Sequence, residues 1–401
     1  MTFCFLRWIT SYGIVDTFIM QSFDFTTVID RSHTGSWKYE AFAPDVLPVW
    51  VADMDFRSPP CVLDALHRAV DHGIFGYSTA RKELTELVLE RLWSRHQWQI
   101  AAEALVFLPG LVSALNLATR LLPEGAEVLI PTPAYPPFLS CGPHQHKTTI
   151  RVPMNCDGKS WTLDFEALQA AVTPKTALLI LCNPHNPTGR SFTQEELAQL
   201  ARFVEKNDLL LVSDEIHCDL MLNPAATHCS IAAEFPDIAS RTITLLSPSK
   251  TFNLAGLGCA FAVIQNPDLR KRFAPSNDDL VPHLNQLGYV AMEAAYRDGE
   301  PWRQALIAQL RENCRRVEEA VIACPGLSMI PPEATYLAWI DCRALGLEDP
   351  AAFFLTHKLA VGSGRYFGAE GFIRINFACP PAKLEEALNR LLTLNNKGGR
   401  S

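Results

Sequence analysis

The chain lacks the marks of several common protein classes. It has twelve cysteines but no C-x-x-C pair, and Cys218 and Cys229 lie too far apart to read as a zinc knuckle. That argues against a zinc-ribbon or dithiol-redox framework and for reduced, mostly buried thiols in a cytoplasmic protein. His144-Gln145-His146 has no third ligand beside it and reads as surface loop rather than a metal site. There is no basic excess: 35 Lys and Arg against 43 Asp and Glu give a formal charge of −8. Nonspecific nucleic-acid binding rests on basic, phosphate-facing surface, so this balance argues against it. Internal repeats and low-complexity tracts are absent, and so is an unbroken apolar run of membrane length. The apolar stretch Met1–Ile19 is interrupted by Arg7, Ser11, Gly13 and Asp16 and carries no small-residue cleavage site. We expect residues 1–21 to be an extension outside the fold, with Met20 as the natural start. Mass spectrometry of the native N-terminus checks this.

What is present is the composition of a globular enzyme. Hydrophobic residues make up 48% and charged residues 19%, and 401 residues fit two or three domains. In the middle of the chain, short runs rich in Leu, Val and Ile (105–108, 127–130, 177–181, 209–213, 241–246, 259–264) alternate with helical spacings near 111–122, 164–171 and 194–206. This pattern predicts an α/β fold built on a mostly parallel sheet covered by helices on both faces. After Asp298-Gly299-Glu300-Pro301 the pattern shifts. A long helix is expected over about 302–323, then strands at 336–341 and 372–377 and helices near 350–359 and 382–393. The expected division is a large domain over 66–300 and a smaller α/β domain from 22–65 plus 301–401.

Ligands of such sheets bind outside the carboxyl ends of the strands. Three segments fall there. Ser247-Pro248-Ser249-Lys250 follows the run 241–246 and sets an amine beside hydroxyl donors, which suits a Schiff base next to a phosphate. Asn183-Pro184-His185-Asn186-Pro187-Thr188-Gly189 follows 177–181 as a stiff turn. Asp214 ends the run 209–213, where a buried carboxylate needs a cationic or donor partner. Gly110-Leu111-Val112 opens a helix, whose unpaired N–H groups favour an anion.

These segments, in this order, resemble the fold-type-I pyridoxal 5'-phosphate (PLP) enzymes of the class I/II aminotransferase superfamily, from Phe23 to Leu392. Further details are similar to the carbon–sulfur lyases of the cystathionine β-lyase and cystalysin type, the MalY/PatB branch. They are Phe23-Asp24-Phe25 with Val28-Ile29-Asp30-Arg31, Trp50-Val51-Ala52-Asp53-Met54-Asp55-Phe56, His72-Gly73-Ile74-Phe75-Gly76-Tyr77 and Ser213-Asp214-Glu215-Ile216-His217.

The resemblance implies a role for each residue. Lys250 would form the Schiff base and shuttle the substrate's Cα proton, and Asp214 would pair with the pyridinium nitrogen. Asn186 would donate to the ring phenolate oxygen, Tyr135 would stack on the ring, and His217 would contact the cofactor. Ser247, Ser249 and the N–H groups at Gly110, Leu111 and Val112 would hold the phosphate. Arg374, in Phe372-Ile373-Arg374-Ile375-Asn376, would grip the substrate carboxylate, with Asn186 and Ala52 also at the substrate. Tyr77 would reach the neighbouring subunit's phosphate across a homodimer interface. One departure stands out. Many aminotransferases carry a phosphate-binding arginine eight residues after the lysine, and here that position is Gly258.

The implied reaction is β-elimination of a cysteine thioether to pyruvate, ammonia and a thiol. His217, where many aminotransferases have Tyr, and the lyase-like Trp50–Phe56 lean that way. Transamination on the same cofactor stays open, as does a regulatory role through surface contacts.

Overall fold

The computed structural model describes residues 9–10, 13–14, 22–274 and 280–392. The expected extension 1–21 lies outside them, apart from an antiparallel pairing of Ile9–Thr10 with Gly13–Ile14. A seven-stranded sheet forms from β1 (Leu105–Leu108), β2 (Glu127–Thr132), β3 (Thr148–Pro153), β4 (Thr176–Cys182), β5 (Leu210–Asp214), β6 (Thr242–Leu246) and β7 (Ala260–Val263), in the order β1-β7-β6-β5-β4-β2-β3. Only β7 runs against the rest, antiparallel to both β6 and β1. The other six therefore share a direction, and their carboxyl ends lie along one edge.

Alternate residues of each strand enter different cores, as the pleat requires. Val128, Ile130, Leu178, Ile180, Val212 and Ile243 pack on one face, in one core with residues of the helices that cover it. Leu129, Leu179, Leu181 and Leu211 pack on the other face. The helices include, in chain order, α1 (Pro60–His72), α2 (Lys82–His96), α3 (Leu111–Arg120), α4 (Pro136–His144), α5 (Phe165–Ala171), α6 (Gln194–Lys206), α7 (Gln286–Asp298), α8 (Glu300–Ile322), α9 (Pro350–Thr356) and α10 (Pro381–Leu392). Ala114, Leu115 and Ala118 of α3 cover the first face, and Leu197, Leu200 and Val204 of α6 the second. The start of α6 is set by a capping box, with Thr193 and Glu196 bonding each other's backbone N–H.

A second sheet, β8 (Ser328–Met329), β9 (Leu337–Asp341), β10 (Gly362–Ser363) and β11 (Phe372–Asn376), has the order β8-β9-β11-β10 and is antiparallel. The N-terminal segment is woven into this part. Leu47–Pro48 pairs with Leu359–Ala360, and the Asn376 N–H donates to the Val49 carbonyl at 2.8 Å. Helix α1 runs on through the expected boundary at 65/66 and packs on α7. Among the described residues no helix is long and apolar enough to cross a membrane.

Candidate active site

The carboxyl edge of the large sheet opens into a cavity of about 830 Å³. Asp214 is the last residue of β5. Asn186 follows β4, Lys250 follows β6, Gly110 follows β1 and Tyr135 follows β2. With His217, Ser247, Ser249, Leu111, Val112, Ala52 and Arg374, they all line this one cavity. Tyr77 does not; it is fully exposed, next to exposed Ile74 and Phe75.

Lys250 Nζ donates to the Ala52 carbonyl at 2.7 Å, and the Tyr336 hydroxyl donates to the same oxygen at 3.0 Å. Burial, then the Arg374 cation, pulls the Lys250 ammonium down to about 8. Near neutral pH this amine exchanges a proton far more readily than a surface lysine. Asp214 Oδ1 accepts from the Ile216 N–H at 3.1 Å, and burial pushes its carboxyl up to about 7 despite the neighbouring Lys250. A buried carboxylate in this state calls for a stronger cationic partner on its cavity side. The His217 ring is buried and held neutral, pulled down to about 3 by burial, then by Lys250 and Arg374. Its Nδ1 has no partner, and its face meets Tyr336 edge-on at 6.1 Å. Burial raises the Tyr135 phenol, with Asp214 adding to the effect.

Arg374 is buried on β11. Its Nη1 donates to Asn186 Oδ1 at 2.8 Å and its Nη2 to the Trp50 carbonyl at 2.9 Å, while Nε has no partner. The guanidinium carbon lies 4.7 Å from the centre of the Phe367 ring. Burial lowers the group only to about 10, so it stays a cation. A buried cation on a cavity wall, with N–H groups beyond those given to Asn186 and Trp50, is fitted to an incoming carboxylate.

At the anion end, Ser247 Oγ lies 2.5 Å from the Cys259 carbonyl and 2.8 Å from Ser249 Oγ, and it accepts from the Ser249 N–H at 3.0 Å. Ser247 has one proton, and the Cys259 carbonyl is its nearest acceptor. When that proton goes to Ser249 Oγ instead, the Ser249 proton is the one left to donate into the cavity, beside the N-terminus of α3. The glycine at 258 has a structural reason. Its φ is +55°, and a Cβ there would lie 2.7 Å from the Pro109 carbonyl, so this backbone admits no arginine at that position. Gly189 is similarly forced: its φ is +72° and a Cβ would meet Pro332 at 2.2 Å.

A buried carboxylate, a lysine of lowered basicity, a hydroxyl and a helix N-terminus therefore converge on one cavity, next to an arginine with a free N–H. This donor set fits a phosphorylated pyridine aldehyde and an amino-acid substrate.

Several of these partners were not anticipated. Tyr336 is 284 residues from Ala52, and the Trp50 carbonyl is 324 from Arg374, so no local pattern signals either contact. The signal that does exist is the cluster Trp50–Phe56, whose backbone oxygens turn out to organise the cavity wall.

Comparison with known proteins agrees with the geometry. A family model described as aminotransferase class I and II matches residues 45–391. The cystathionine beta-lyase PatB of Bacillus subtilis (strain 168) is 36% identical over 356 residues, covering 86% of this chain and 92% of that protein. The crystal structure of OvoB superposes with a TM-score of 0.91 at 44% identity, over 94% of this chain and all of the other. Cystalysin from Treponema denticola, whose structure contains a pyridoxal 5'-phosphate cofactor, gives 0.89 at 34% identity over 94% and 99%.

Proposed function

Because the chain belongs to the class I and II aminotransferase family, and its relatives include a cystathionine beta-lyase and cystalysin, we propose that it is a PLP-dependent carbon–sulfur lyase. It takes cysteine thioethers to pyruvate, ammonia and a thiol. The observation that carries this reading is the joint placement of Lys250, Asp214 and Arg374 around one cavity at the sheet edge.

Bound there, pyridoxal phosphate supplies an aldehyde that condenses with an amine and a ring that takes up electrons from a carbanion. The chain's own residues do the rest. Lys250 would hold the aldehyde and, as a free amine, take the Cα proton; its lowered basicity suits that transfer. Asp214 would pair as an anion with the ring nitrogen and keep it protonated. Asn186 and Tyr135 would position the ring, and His217, held neutral, lines the same cavity. Ser249, seated by Ser247, joins the N–H groups of Gly110, Leu111 and Val112 in binding the phosphate. Arg374 would clamp the substrate carboxylate with the guanidinium N–H groups not given to Asn186 and Trp50. In the chain without cofactor, the carbonyl of Ala52 holds Lys250 Nζ. The thiolate leaves Cβ with the bonding pair and takes up a proton.

We further propose a homodimer in which Tyr77 completes the partner's phosphate site. A fully exposed Tyr77 beside exposed Ile74 and Phe75 supports a protein contact there. Mixing a Lys250→Ala chain with an inactive Tyr77 variant should restore about a quarter of wild-type activity through hybrid dimers. No recovery in proven hybrids puts Tyr77 outside the shared site. We read the chain as a large unit (66–300) and a smaller one (22–65 plus 301–401) that meet at this cavity. The eleven described cysteines are free thiols, which supports a reducing, cytoplasmic setting.

The reaction is tested without any keto-acid acceptor. Pyruvate, ammonia and thiol should appear in equal amounts from a cysteine thioether. If turnover requires an added keto acid, the chain is an aminotransferase.

A further inference from the structure

The mouth of the cavity is aromatic. Trp37 sits on the one-turn helix Trp37–Glu40 and is 70% exposed, yet it lines the cavity. Its ring meets Trp50 edge-on at 4.7 Å, and Phe42 also meets Trp50 edge-on, at 5.8 Å. The Trp50 indole N–H is tied to the Lys38 carbonyl at 3.1 Å, which fixes the middle ring of the three. Tyr366, also 70% exposed, lines the same cavity beside Phe367. Exposed large aromatics collected at one opening offer a surface to a ligand.

The charges of the wall point the same way. Among the described residues its only cations are Lys250 and Arg374, since His217 is neutral. Both are committed, one to the reacting carbon and the other to the α-carboxylate. The remaining ionised groups are anions: Asp214 deep inside, and Asp53, paired with Arg31 and Lys38. A substrate whose leaving thiol carries its own carboxylate would bring that charge to a wall with no cation left for it, at a cost. An uncharged planar substituent meets ring faces and edges instead.

We propose, on the basis of the lyase reading above, that Trp37, Phe42 and Trp50 form the leaving-group subsite, and that it selects cysteine thioethers whose sulfur carries an uncharged aryl or arylmethyl group. Distally charged thioethers such as cystathionine are the poorer substrates. Trp37 is the specificity residue that can be changed with least effect on packing, because most of its surface is already exposed.

The test uses holoenzyme and two readouts. In turnover, wild type should release pyruvate from S-benzyl-cysteine with a kcat/KM at least about tenfold above that for cystathionine, the range of one well-made aromatic contact plus an avoided buried charge. In binding, followed by the cofactor's visible band, L-phenylalanine should bind about tenfold tighter than L-α-aminoadipate, which carries a distal carboxylate. Trp37→Ala should lower both ratios severalfold, mainly through KM, leaving the share set by the missing cation, and Trp37→Phe should keep most of them. Equal preference in wild type, or unchanged ratios in Trp37→Ala, overturns the subsite; a cation from outside this chain would then serve the leaving group. If no thioether yields pyruvate but phenylalanine still binds selectively through Trp37, the subsite stands and the lyase reading falls.

Discussion

Two walls of the cavity are held by different physics. The sheet edge that carries Asn186, Asp214 and Lys250 stands on backbone ladders between parallel strands and on two apolar cores. The opposite wall is the strap Trp50–Asp55, which has no regular structure and is held by charge. Arg31 reaches Asp53 at 2.8 Å and Asp55 at 2.7 Å; Lys38 and Lys383 reach Asp55 at 3.1 and 2.5 Å. Asp55, Lys38 and Lys383 are all buried. The strap's carbonyls then bind the site: Trp50 holds Arg374, Ala52 holds Lys250 and Tyr336, and Val51 and Asp53 hold Asn376. The comparison teaches that the rigid edge supplies the reacting groups and the ion-paired strap sets their orientation.

The largest effect should come from the edge. Lys250→Ala removes both the amine and the proton carrier, and turnover should fall at least about a thousandfold with the fold intact by circular dichroism. A smaller loss would mean that another group moves the Cα proton. Next is the strap. Asp55→Ala leaves Lys38 and Lys383 buried without their shared carboxylate and should cost about 3–5 kcal/mol in denaturant unfolding. A change under about 1 kcal/mol would show the cluster to be solvated and the strap held by something else.

The third prediction separates the walls by pH. The Asp214 carboxyl is raised to about 7 in the chain alone, from 3.8 in a model peptide. Its contribution to the stability of cofactor-free protein is therefore fully present below about 4 and is lost as pH rises through 7. Relative to Asp214→Asn, cofactor-free wild type should lose thermal stability between about pH 5 and pH 8, measured by calorimetry. A flat difference would mean that Asp214 finds a cationic partner within the chain. The smallest effect is at Tyr336→Phe, which removes one of two donors to the Ala52 carbonyl. About 0.5–1.5 kcal/mol of stability and a modest rise in KM are expected. A kcat loss as large as that of Lys250→Ala would make Tyr336 a reacting group.

The same contrast explains what could be read from the sequence. The strands ending at Cys182, Asp214 and Leu246 were legible because apolar runs, turn residues and site residues are neighbours in the chain. The helix expected over 302–323 is Glu300–Ile322, and 194–206 is Gln194–Lys206 with its capping box. The reversed direction of β7 was not legible, because the run 259–264 has the same composition as a parallel strand. The missing arginine at Gly258 was visible, but its cause, the Pro109 carbonyl, lies about 150 residues away in the chain. The strap appeared only as a family-like motif. Its pairing with Lys383, 328 residues on from Asp55, has no local signature. Nor did any spacing mark Trp37 and Phe42 as part of the cavity, since they come together only around Trp50.

The central claim is that Lys250, at the sheet edge, is the amine that holds the cofactor. Borohydride reduction of the holoenzyme followed by peptide mass mapping tests it most directly. The account predicts loss of the visible band and a pyridoxyl phosphate mass on Lys250 alone. A label on any other lysine, or its persistence in Lys250→Ala, would contradict it.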